Sequence, residues 1–80
     1  MEINGKVSID PKICHGKPRI KGTRIMVSQV LDLLSAGISP EKIISKDYFP
    51  DITLEEIYAC IDFANRIIKN EEVHLAKVSQ

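Results

Sequence analysis

The chain has 80 residues, 44% hydrophobic and 28% charged, with a formal net charge of zero. That length supports one domain with a modest core, for which oligomerisation is a natural remedy. The composition excludes disordered and fibrous classes, and no apolar run reaches the length of a membrane span.

The zero net charge hides a polarity. Residues 1–27 hold six Lys/Arg and two acids, a balance of +4, whereas residues 28–80 hold five bases and nine acids, a balance of −4. A basic segment of this kind can dock on nucleic acid, on an acidic partner or on the acidic half of another copy, and the sequence leaves all three open. The N-terminus lacks the basic and apolar regions of a secretory signal, so a cytoplasmic setting is expected. Cys14 and Cys60 lie too far apart for a disulfide framework or a metal spacing, and reduced thiols are expected. Cys14 and His15 would point to opposite faces of an extended chain, and His74 is near the tail, so no metal or nucleophile site and no cofactor is expected.

In chain order, Val7-Ser8-Ile9 is a short edge-strand candidate closed by the turn-forming pair Asp10-Pro11. The stretch from Ile13 to Val27 organises the rest. Gly16 and Gly22 permit positive φ and Pro18 fixes φ, so the backbone must follow a defined irregular path. Ile20, Ile25 and Val27 predict two short strands joined through Lys21-Gly22-Thr23, a basic hairpin presenting Lys17, Arg19, Lys21 and Arg24.

Ser28 reads as the N-cap of a first helix from about Ser28 to Ala36, with Val27, Val30, Leu31 and Leu34 on its buried face and Gly37 as a left-handed C-terminal cap. Ser39-Pro40-Glu41 starts a short second helix that carries Ile43 and Ile44 inward and stops near Asp47. Tyr48 and Phe49 are expected to wedge against the helices. Thr53 and Glu56 form a capping box for a third helix from Leu54 to about Asn70, with Asp62 and Arg66 as an exposed i, i+4 pair. The domain is expected over residues 1–70, with a polar, frayed tail over 71–80. On a helical wheel the apolar residues of this helix fill an arc of roughly 220°, more than one small core needs. The excess assigns Tyr58, Cys60, Phe63 and Ile67 to a dimer or partner face. The fold class is therefore α+β, mainly α: a short strand and hairpin followed by three helices in a winged helix-turn-helix-like (homeodomain-like) bundle.

The runs Val-Ser-Ile-Asp-Pro-Lys-Ile-Cys-His-Gly-Lys-Pro-Arg-Ile-Lys-Gly-Thr-Arg-Ile-Met-Val, Val-Leu-Asp-Leu-Leu-Ser-Ala-Gly-Ile-Ser-Pro-Glu-Lys-Ile and Tyr-Phe-Pro-Asp-Ile-Thr-Leu-Glu-Glu-Ile resemble domain-of-unknown-function family 433. The likeness covers residues 7 to about 68 and includes the pattern Cys-X-Gly-X-Pro-X-Ile-X-Gly-Thr-Arg-Ile-X-Val. One position departs: His15 stands where many members carry a second glycine, which argues against a required positive φ there.

The resemblance implies a helix-turn-helix-like fold and, for some relatives, the antitoxin role of VapB-type pairs, beside a PIN-like nuclease encoded nearby. Such nucleases gather carboxylates around a divalent cation, and the forked guanidinium groups of Arg19 and Arg24, with Lys17 and Lys21, suit that surface. The alternative is a DNA-binding regulator that reads the major groove with its third helix and contacts the backbone through the hairpin. Against it stand Asp51, Glu55 and Glu56, which would face phosphates. No nucleophile, phosphate loop or metal-ligand pattern supports an enzyme.

Overall fold

A computed structural model describes the backbone of residues 4–78 and the side chains of residues 4–70. It is a small α+β arrangement, mainly helical, with two strands and three helices: β1 (Val7–Ser8), β2 (Arg19–Ile20), α1 (Val27–Ser35), α2 (Pro40–Ile43) and α3 (Leu54–Val78). The N-terminal stretch read above for signal features falls in part on residues 1–3, which lie outside the described residues.

β1 and β2 pair antiparallel, with Val7 opposite Ile20 and Ser8 opposite Arg19. This corrects the expected hairpin. The arms around Lys21-Gly22-Thr23 do meet, through Ile20 N–H to the Ile25 carbonyl at 2.8 Å and Val27 N–H to the Pro18 carbonyl at 3.0 Å. They form only a single bridge, Arg19 to Met26, and the second arm passes at once into α1. β2 is thus held on both edges, since Lys21 N–H also donates to the Lys6 carbonyl at 2.8 Å.

Between the strands the chain makes an unusual turn. Cys14, His15 and Gly16 have φ of 54°, 57° and 77°, three left-handed residues in succession. For non-glycine residues that conformation costs roughly 1–2 kcal/mol each. The turn is closed by Gly16 N–H to the Ile13 carbonyl (3.1 Å) and Lys17 N–H to the Cys14 carbonyl (3.0 Å). The expectation that His15 needs no positive φ is corrected, as is the extended backbone expected at Cys14 and His15.

α1 begins one residue earlier than expected and is capped differently. Met26 is the N-cap, and Gln29 folds back to accept from the Met26 N–H at 2.8 Å, while Ser28 lies inside the helix. Its end follows the sequence: Gly37 has φ of 88°, Gly37 N–H donates to the Leu34 carbonyl and Ile38 N–H to the Leu33 carbonyl, both at 3.0 Å. That pair of bonds satisfies carbonyls the helix end would leave open.

α2 is capped by Ser39, whose Oγ accepts from Lys42 N–H at 3.2 Å. It is shorter than expected, because Ser45 Oγ donates to the Lys42 carbonyl (2.6 Å) and accepts from Asp47 N–H (3.2 Å), turning the chain before Asp47. Phe49 packs on the core as expected, whereas Tyr48 is exposed. The Thr53–Glu56 box forms in both directions, at 2.9 and 3.2 Å. α3 continues past the expected end at Asn70 to Val78, and the side chains of the expected polar tail lie outside the described residues.

Val7, Ile20, Val30, Ile43, Ile57 and Cys60 are fully buried where the sheet, α1, α2 and α3 meet. Each such aliphatic side chain contributes on the order of 1.5–3 kcal/mol by leaving water. The Asp62–Arg66 pair forms at 3.0 Å. No helix among the described residues is long and apolar enough to cross a membrane.

Candidate functional site

The basic segment divides. Lys17 is exposed at the rim of an apolar groove, while Arg24 is exposed beside a second, shallow cavity of about 330 Å³ that Arg19, Ile13, Gly22 and Thr23 also line. Lys21 is exposed at the turn. Arg19 is turned inward instead. Its Nη1 donates to the Thr23 carbonyl at 2.9 Å and to the Ile20 carbonyl at 3.5 Å, and its Nε is buried with no hydrogen-bond partner. The guanidinium therefore ties the turn together, which corrects its reading as an outward-facing contact.

The turn residues act as their types require. Gly16 and Gly22 both have positive φ, and around Gly22 an added Cβ would meet nothing, so the constraint there is on backbone angle and not on space. Thr23 Oγ1 donates to the Ile20 carbonyl at 2.8 Å and accepts from Ile25 N–H at 3.0 Å. The Pro18 carbonyl receives the first N–H of α1. Cys14 Sγ donates to the Arg24 carbonyl at 3.5 Å. The chain entering α1 is in this way fixed from three sides.

The helix face expected for a partner is also divided. Cys60 is fully buried and Phe63 nearly so, which places Cys60 in the core, away from the expected dimer or partner face, and leaves Phe63 with only an edge exposed. Burial, with the Glu56 charge adding to it, pushes the Cys60 thiol up to about 11. Tyr58 and Ile67 are exposed, at 53% and 41%, and Ile61 and Ile68 are exposed with them.

Ile67 and Ile68 line an apolar groove. The groove, of about 360 Å³, runs between α1 and the part of α3 that leaves the core, lined by Val27, Ser28 and Leu31 on one side, by Phe63, Ala64, Ile67 and Ile68 on the other, and closed at one end by Lys17 and Pro18. Its walls are almost wholly apolar, with a cation at the mouth.

Asn4 was not singled out by sequence. Its Nδ2 donates to the Ala59 carbonyl at 2.9 Å and to Asp62 Oδ2 at 3.0 Å, while its Oδ1 accepts from Val7 N–H at 3.1 Å. The bond from Asn4 holds the Asp62 carboxyl below its usual range against an opposing effect of desolvation, with Arg66 and Lys69 also lowering it. The available signal was the Asn4-Gly5 pair, a turn former. Among the described residues no group of three or more His, Cys, Asp or Glu side chains is placed to hold a metal ion.

The family model for a protein of unknown function, DUF433, matches residues 7–64, from β1 through the left-handed turn to the buried face of α3, and Asn4, Ile67 and Ile68 lie outside the match. The chain belongs to the DUF433 family. No curated protein and no solved structure gave a match.

Proposed function

We propose that this chain is a non-catalytic binding protein, the antitoxin half of a type II toxin–antitoxin pair, and that it holds and inhibits a PIN-like ribonuclease encoded nearby. The observation that carries this reading is the apolar groove between α1 and α3 with Lys17 at its mouth and Arg24 exposed on the same basic segment. A groove of this kind accepts an amphipathic helix, and flanking cations complement the acidic rim of a nuclease active site. The family resemblance supports the same partner.

The winged helix-turn-helix reading belongs to this proposal only in its weaker form. The connection between α2 and α3 covers residues 44–53, longer than the turn of about three or four residues in DNA-binding helix-turn-helix units. Asp51, Glu55 and Glu56 lie at the N-terminus of α3, the end that would enter the major groove, and repel phosphate. DNA binding is therefore the second reading.

The test is co-expression with the neighbouring nuclease, followed by size-exclusion chromatography with light scattering. A stable heteromer is expected. Lys17→Glu with Ile67→Glu abolishes it while the thermal melt of the isolated chain is unchanged. Unaltered co-purification of the double variant, or no heteromer with the unmodified chain, overturns the assignment.

A further inference from the structure

Two arginines share the second cavity. Arg19, half-buried, and Arg24, exposed, line it with Ile13, Gly22 and Thr23 over about 330 Å³. Among the described residues no carboxylate forms an ion pair with either. Like charges on one cavity repel, and an anion between them removes that repulsion. The backbone that carries both is already fixed: Thr23 N–H donates to the Ile20 carbonyl at 3.0 Å, Ile20 N–H to the Ile25 carbonyl at 2.8 Å and Cys14 Sγ to the Arg24 carbonyl at 3.5 Å. Little ordering of the chain is left for a ligand to impose.

The Arg19 fork has one edge outside this tie. Nη1 holds the Thr23 and Ile20 carbonyls, whereas Nε, on the edge it forms with Nη2, is buried with no hydrogen-bond partner. That edge is the one that grips two oxygens of a carboxylate or phosphate side-on. Directly opposite Arg19 in the ladder is Ser8, 8% exposed, whose Oγ is also buried and unpartnered. Cross-strand neighbours leave the sheet on the same face, so two orphaned donors stand side by side on the face from which Arg19 reaches the cavity.

We propose that the cavity binds a small organic anion headed by a carboxylate or phosphate group, gripped by the Nε–Nη2 edge of Arg19, with Ser8 Oγ donating from behind and Arg24 reaching over it from the rim. The volume lies at the low end of the roughly 300–1,000 Å³ usual for ligand sites, which suits a small molecule rather than a helix. Ile13 offers an apolar wall to its carbon portion. Seating an oxygen on Nε takes a small shift of the fork, while Nη1 keeps its carbonyls.

The proposal shares only Arg24 with the nuclease reading and its test uses this chain alone, so its failure leaves that reading standing. The full chain is titrated with inorganic phosphate and, separately, with propionate, each against sodium chloride at matched ionic strength, while the Nε–H resonance of Arg19 is followed. A saturable shift is expected with at least one probe. Phosphate alone identifies a phosphate head, propionate alone a carboxylate, and both together a site that reads the shared pair of oxygens. Arg24→Gln, at an exposed side chain, weakens binding at least about tenfold with the urea midpoint unchanged. Ser8→Ala, which removes a hydroxyl with no partner to lose, weakens it several-fold. A response to both probes no greater than that to sodium chloride, or saturable binding that either variant leaves unaltered, overturns the proposal.

Discussion

The amide of Asn4 donates to the carboxylate of Asp62 at 3.0 Å, across 58 residues of chain. Through this contact and the bond to the Ala59 carbonyl, the segment that becomes β1 is tied to the middle of α3, and Val7 is delivered to the core beneath it. Removing the Asn4 side chain deprives the Val7 N–H of this acceptor and the Ala59 carbonyl of a donor additional to the helix ladder. Asn4→Ala is expected to destabilise the fold by about 1–2 kcal/mol in urea unfolding, with the loss concentrated in amide exchange of residues 6–8.

The same contact sets an acid dependence. The folded-state carboxyl of Asp62 titrates below its ordinary value of 3.8, so its contribution is complete above that value and is lost as pH falls through the lower folded one. Asp62→Asn is expected to lower the neutral plateau slightly and to flatten the acid limb below about pH 4, so that the two chains converge in acid. Stability measured by denaturant midpoint from neutral to acidic pH checks this.

His15 holds a φ of 57°. Glycine adopts that angle without steric cost, although it has more freedom to lose on folding. His15→Gly is expected to raise stability by about 0.5–1 kcal/mol, read as an increase in the urea midpoint. His15→Val, with a branched side chain at the same angle, shifts it the other way.

The two thiols differ in access. Cys60 is fully buried and its thiol is raised from 9.0 to about 11, whereas Cys14 is half-buried at the surface turn. Alkylation of the native chain near neutral pH is expected to modify Cys14 and spare Cys60 until the chain unfolds. Because the thiol is raised, its neutral form stabilises the fold fully below about pH 9, and that contribution fades as pH climbs from there toward 11.

The capping box supplies a fifth check. Thr53→Ala removes the acceptor for the Glu56 N–H and is expected to cost about 1 kcal/mol, with the loss visible as fraying at the start of α3.

What the sequence made legible was chemistry that is local along the chain. Gly37, Ser39 and the Thr53–Glu56 pair act on backbone groups within a few residues, and each cap or terminus forms as their types require. The face of α1 was legible from spacing alone. Contacts made across the chain were not. Ser28 is a better cap by type than Met26, but Gln29 satisfies the Met26 N–H and β2 fixes where the helix starts. Arg19 reads as a surface cation until the Thr23 carbonyl is placed beside it by the turn. The arc of α3 was correctly wide, yet its pattern did not separate Cys60 and Phe63, which meet the core, from Tyr58 and Ile61, which do not. That division depends on where β1, α1 and α2 lie against the helix.

The most direct measurement of the central claim is a titration of the purified neighbouring nuclease with this chain while RNA cleavage is followed. Cleavage is expected to fall linearly and to vanish at an equimolar ratio, with Lys17→Glu/Ile67→Glu chain leaving it intact. Full cleavage in the presence of excess unmodified chain would contradict the antitoxin reading and leave the groove between α1 and α3 in need of another occupant.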